Sequence, residues 1–193
     1  MITGNLEYLI SSLPYLSFQD SEEERLKVAS LLRKYAGVSE KEKSLITILD
    51  DEAAKFLTPT ASHLLSQINL NTIHEVAFWE NGNKVLAAFS EYVFLIKEHI
   101  REVRISRRKH SDQTTSKKQS SLIISGDPLN EEIQLLKLKW NKLETLSIGH
   151  YTDFGALIIY KLKLLLLLRW WSFDMDKGFE VFLQTIKKAE YGR

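Results

Sequence analysis

The stretch ALIIYKLKLLLLLRWW, residues 156–171, decides the fold. It falls short of the roughly 20 apolar residues that a helix needs to cross a bilayer, and Lys161 and Lys163 interrupt it. A buried helix is therefore the expectation. Leu162, Leu164, Leu165, Leu166, Leu167, Leu168, Trp170 and Trp171 leave it apolar nearly all round, so it needs cover on most sides. Two sources of cover fit the pattern equally: the chain's own bundle with this helix at its centre, or a partner chain that supplies part of it.

Outward from this stretch the chain reads as helices. Leu6–Leu13 is a short apolar segment, one helix turn or a strand, that ends before Pro14. Ser21 with Glu24 forms the pattern of a capping box, in which the hydroxyl accepts from an amide and the carboxylate reaches back. Leu26, Leu31, Leu32 and Tyr35 follow on one face, and Gly37 is the stop. A second helix is expected over Ser39–Leu49, punctuated by Asp50-Asp51, and Thr58-Pro59-Thr60 marks a break. Helix is expected around Ala61–Trp79, broken near Asn69-Leu70-Asn71, and Asn81-Gly82-Asn83 is turn-like. Val85, Ala88, Phe89, Tyr92, Val93, Ile96, Ile100 and Val103 then repeat with helical spacing. From Arg107 to Ser121 there is no apolar residue, so that segment reads as an exposed mobile loop or a polar helix extension. Leu122–Ile124 and Gly126-Asp127-Pro128 lead into an amphipathic helix, Leu129–Leu146. The closing helices are Tyr151–Trp171 and about Asp174–Glu190, the last with Asp174 as candidate N-cap.

Composition agrees. Helix formers dominate, and 8 Gly and 3 Pro are too few for a loop-rich β fold. Lys+Arg 26 against Asp+Glu 25 leaves the chain near neutral, so global charge names no polyanionic partner. The absence of cysteine excludes disulfides, thiolate metal sites and cysteine nucleophiles, and fits a reducing cytoplasm. The N-terminus lacks a basic n-region and carries Glu7, which makes a poor signal peptide.

Catalytic and metal constellations are sparse. The histidines at 63, 74, 99, 110 and 150 never fall three or four apart, so no helix presents a two-histidine metal face. His99 and Glu102 are one turn apart but lack further ligands. The carboxylate pairs Asp50-Asp51, Glu131-Glu132 and Asp174 with Asp176 lie near expected helix ends, where acidic side chains suit amide dipoles better than acid–base chemistry. No phosphate-cradling glycine loop and no Gly-x-Ser-x-Gly elbow occurs. No cofactor or metal is expected.

A basic tract is the sharpest local anomaly. Lys97, Arg101, Arg104, Arg107, Arg108, Lys109, Lys117 and Lys118 meet only Glu98, Glu102 and Asp112. Such charge can grip phosphates, yet no aromatic residue between Arg101 and Lys118 offers a base a stacking surface. A solvated helix end carrying a loop is the plainer reading, and an acidic protein surface competes well with nucleic acid as a partner.

Tyr8-Leu9-Ile10-Ser11-Ser12-Leu13-Pro14-Tyr15-Leu16-Ser17-Phe18 resembles the opening of a bacterial family of unknown function encoded beside V-type ATPase subunits. It is also similar to the opening of the C-type component of V-type ATPases (d-type in eukaryotes), the helical socket between rotor shaft and membrane ring. Tyr160-Lys161-Leu162-Lys163-Leu164, Arg169-Trp170, Phe173-Asp174, Lys177-Gly178 and Phe182 resemble the same family's apolar helix, Arg-Trp pair and closing helix. The resemblance implies a non-catalytic structural or accessory subunit of a V-type ATPase. Its partners would be other protein subunits, and its place the cytoplasm or the inner membrane surface through a complex.

The expectations are then an all-α fold, a bundle of about six to eight helices forming a single domain over 1–193, or at most two small lobes. The polar mobile segment is placed at about 107–121. The residues expected to meet a partner are Arg101, Arg104, Arg107, Arg108, Lys109, Arg169 and Trp170. The alternative is a nucleic-acid-binding regulator that uses the basic tract 97–118.

Overall fold

Ser21, Ser44, Thr58, Asn83 and Asp153 each accept a free first-turn amide and start a helix. The computed structural model describes residues 6–36, 43–109 and 127–173. Among them lie eight α-helices: α1 Leu6–Ser12, α2 Glu22–Leu32, α3 Leu45–Ala54, α4 Pro59–Gln67, α5 Val76–Trp79, α6 Lys84–Lys109, α7 Pro128–Leu146 and α8 Phe154–Trp171. A 3-10 turn, Arg33–Tyr35, extends α2. No strand occurs among the described residues, so the fold is all-α.

Ser21 caps α2 as expected, its hydroxyl accepting from the Glu24 amide at 3.2 Å. The other half of the box is missing. Glu24 takes a hydrogen bond from the Ser17 hydroxyl at 3.2 Å and lies 3.6 Å from Lys27, which holds its carboxylate away from the Ser21 amide. The expected break at Thr58-Pro59-Thr60 is the start of α4: Thr58 accepts from the Ala61 amide and Pro59 occupies a first-turn position that needs no donor. Asn69 Oδ1 accepts from the amides of Asn71 and Thr72, which closes the expected interruption. Asn83 Oδ1 accepts from the Leu86 amide and starts α6.

The second helix and α8 depart from their expected bounds, α8 starting at Phe154 and not at Tyr151. The second helix starts at Leu45, where Ser44 accepts from the Thr47 amide, and runs through Asp50-Asp51 instead of ending there. α6 continues through Arg107 and Arg108 to Lys109, so the polar segment begins as helix. Gly37, Leu122–Ile124, Gly126, the rest of the polar segment from His110 and the closing helix with Asp174 lie outside the described residues.

α8 is the axis of the bundle. It touches α1, α3, α6 and α7, and Leu157, Ile158, Leu162, Leu164, Leu166 and Leu167 have no exposed surface. Their cover is the chain's own, which decides the choice left open by the sequence for these positions. One connected core cluster draws on every one of the eight helices, and no second core separates a lobe among the described residues. The entry to α8 is tight. Gly149 takes φ +87°, a left-handed turn that suits glycine, and a Cβ on Gly155 would stand 2.7 Å from His150 Nδ1 and 3.2 Å from Val85 Cγ2.

Lys161, in the middle of α8, is fully buried. Its ammonium donates to both carboxylate oxygens of Asp50 on α3 at 2.8 and 2.7 Å and to the Leu65 carbonyl on α4 at 2.6 Å. Asp50 is thus no helix-end carboxylate but the counter-ion of a buried cation. Burial pushes the Asp50 carboxyl up and the Lys161 ammonium down, each toward its neutral form, and the bonds between them work against both shifts.

A buried pair of this kind is costly to break from one side and cheap to remove whole. Asp50→Leu alone is expected to destabilise by about 3–5 kcal/mol, because it strands the buried Lys161 ammonium, and Lys161→Met by less, because the Asp50 carboxylate it leaves keeps some access to solvent. The double variant should recover most of that loss. Urea unfolding of the four proteins measures it; additive losses in the double variant would show that the two side chains do not act as a pair.

Candidate functional site

α6 carries its apolar stripe beyond the core. Ile96 is buried, Ile100 half-buried and Ile105 is 41% exposed, so the stripe emerges step by step toward the C-terminal end of the helix. At that end α6 meets the first turns of α7 and the last turns of α8. The three helices and the Asn69–Asn71 turn enclose a groove of about 950 Å³. Ile96, Ile100, Ile105, Leu135, Leu165 and Leu168 give it an aliphatic floor.

Cations ring that floor. Lys97 and Arg101 come from α6, Lys139 from α7 and Arg169 from α8, and Glu132 is the one acidic residue in the lining. The positions follow from helical spacing: Lys97 and Arg101 are one turn apart beside Ile96 and Ile100, and Glu132, Leu135, Leu136 and Lys139 lie on one stripe of α7.

These charges are loosely held. Arg101 bonds both oxygens of Glu98 at 3.2 Å with the guanidinium largely in solvent, a surface pair worth little net energy. Arg169 Nε lies 3.6 Å from Glu132. The Lys97 ammonium sits 3.1 Å from the His74 ring nitrogens. Burial lowers the Lys139 pKa below the ordinary 10.5; Glu132 opposes the shift, and the Lys97 and Arg169 charges add to it.

Of the residues expected to meet a partner, the fold brings Arg101 and Arg169 together in this groove. Trp170 is turned to another side: it stacks on Phe18 at 4.4 Å, Phe18 also meets Trp140, and the adjacent Trp171 Nε1 donates to the Gln19 carbonyl. This aromatic cluster ties residues 18–19 to α8. Arg104, Arg107, Arg108 and Lys109 lie on the last turns of α6, and their side chains fall outside the described residues, as do Lys117 and Lys118.

Sequence reading missed two members of the groove. Lys139 sits three residues from Leu136 and four from Leu135, a cation inside an apolar stripe, which is the signal that marks it. Glu132 read as a helix-start carboxylate beside Glu131; Glu131 does lie in the first turn of α7, whereas Glu132 faces the groove and Arg169. Among the described residues no three His, Asp or Glu side chains gather as a metal site, and no helix is long and apolar enough to cross a membrane. Glu132, the one carboxylate in the lining, lies 3.6 Å from Arg169 Nε, so the groove combines aliphatic surface with a net positive lining.

Residues 122–193 match a family described as "Protein of unknown function (DUF2764)". The chain is similar to that family over less than half its length, and the matched stretch includes α7 and α8 with Glu132, Lys139 and Arg169. It also covers Arg169 and Trp170. No curated protein and no solved structure matches the chain.

Lys139 is expected to titrate below the exposed lysines of the chain, observed by NMR of lysines labelled at Cε. Glu132→Gln should lower its pKa further, since that carboxylate favours the charged form, and Lys97→Met should raise it. Because the folded pKa is depressed, the folded chain binds fewer protons than the unfolded chain between that value and 10.5. Stability should therefore rise with pH across that window. A Lys139 resonance that titrates with the exposed lysines would remove it from this electrostatic setting.

Proposed function

We propose that this chain is a non-catalytic docking subunit that works with a V-type ATPase and holds an acidic partner protein in the groove between α6, α7 and α8. The observation that carries the docking role is the joining of four cations to one partly exposed aliphatic floor at the end of a single bundle. A surface that is both apolar and of one charge sign is expected where a specific protein partner binds. The assignment to a V-type ATPase is supported by the resemblance of the Tyr8–Phe18 and Tyr160–Phe182 segments. A nucleic-acid partner fits this surface less well, since the floor is aliphatic and the lining holds no aromatic ring for a base to stack on.

Tagged protein recovered from its own host under low salt is expected to bring V-type ATPase stalk or ring subunits with it, and rising salt should release them. Arg101→Glu with Arg169→Glu, both on exposed side chains, should abolish the recovery without changing the thermal midpoint. A clean preparation that lacks ATPase subunits at low salt would sink the assignment. Recovery that survives the double charge reversal would move the contact away from the groove.

A further inference from the structure

We propose that the occupant of the groove is an acidic amphipathic α-helix of a partner protein, laid between α6 and α8 with its apolar face on Ile100, Leu165 and Leu168. The inference deepens the docking role just described and rests on it.

The groove's shape sets the first condition. From Ile96 to Ile105 the α6 wall is about 14 Å long at 1.5 Å per residue, room for between two and three turns of helix. Every long wall of the groove is itself helix, with backbone amides and carbonyls already bonded along it. An extended peptide would therefore find no sheet edge to pair with, and its own N–H and C=O groups would face aliphatic side chains unsatisfied. A helix brings its backbone bonds with it and needs only an apolar stripe at i, i+3, i+4 and i+7 to meet the floor.

Charge sets the second condition. Lys97 and Arg101 stand on the α6 side, Arg169 on the α8 side and Lys139 on α7, against Glu132 alone. A helix lying on the floor would have cations on both flanks, so glutamates or aspartates bordering its apolar stripe would be paired on each side. Lys139 is the most informative of the four. No described carboxylate lies within ion-pair distance of its ammonium, although the side chain is half-buried. A partner carboxylate would supply that counter-charge.

The test uses the full chain and a synthetic probe. A fluorescent peptide of about 14 residues, with leucine at every third or fourth position and glutamate and alanine between, is titrated by anisotropy. Binding is expected, with helix induced in the peptide by circular dichroism. Arg101→Gln with Arg169→Gln, and separately Lys139→Gln, should each weaken it by at least about tenfold. Three outcomes would overturn the inference. They are equal binding of an isomer whose leucines lack helical spacing, equal binding of the peptide with lysine in place of glutamate, and no binding at all. Tighter binding of anionic phosphatidylglycerol vesicles or of single-stranded RNA through the same residues would assign the groove to another class of partner and equally overturn it. If ATPase subunits are still recovered with the protein while the peptide fails, the docking role stands and the helical occupant alone falls.

Discussion

A helix without a polar face must be covered on every side, and α8 is that helix. α1, α3, α6 and α7 close around it, with α4 reaching it at Lys161, and the energetic return is large because each buried leucine contributes about 1.5–3 kcal/mol. Apolar cover alone would leave α8 free to slide or rotate, since one leucine face resembles another. Lys161 removes that freedom. Its ammonium is satisfied in the interior between the Asp50 carboxylate of α3 and the Leu65 carbonyl of α4. The buried pair thereby sets which residues of α8 face which helix, at a desolvation cost that its three hydrogen bonds offset.

The groove follows from that arrangement. α6 has 26 residues against 19 in α7 and 18 in α8, lengths of about 39, 28 and 27 Å. Seated against shorter neighbours, it carries its stripe from buried Ile96 to exposed Ile105 beyond the point where α8 can cover it. The ends of α7 and α8 then border aliphatic surface that is only partly covered, and among the described residues no acidic helix stands opposite the cations there. Where α8 is centred by Lys161, Arg169 falls at this rim and Trp170 is turned back onto Phe18.

Much of the fold was legible because its signals are local. Ser21 and Gly126-Asp127-Pro128 read as helix starts, and Thr58-Pro59-Thr60 and Asn81-Gly82-Asn83 as a break and a turn at whose edges α4 and α6 begin; the all-round apolar character of α8 called for a buried helix. Asp50 was misread for the opposite reason. Its role depends on a lysine 111 residues away, and two adjacent aspartates in a stretch of helix formers look locally like punctuation. Glu24 illustrates the same limit: the capping box spacing was present, but the packing of residue 17 against α2 redirected the carboxylate. The candidate site was half legible. Arg101 and Arg169 stood out in sequence, one in a basic tract and one in an Arg-Trp pair, but nothing local shows that they share a rim. Lys139 belongs with them only once α7 is packed against both.

The central claim is that the surface left over by the covering of α8 is the surface that binds. Methyl NMR of protein labelled at isoleucine and leucine tests it most directly, by titration with the acidic leucine–glutamate peptide. The account predicts that Ile96, Ile100, Ile105, Leu135, Leu165 and Leu168 shift together, while Ile48, Leu49 and Leu32, buried and not part of the groove lining, stay in place. Shifts confined to α1–α4, or scattered without any at Ile100 and Leu168, would contradict it.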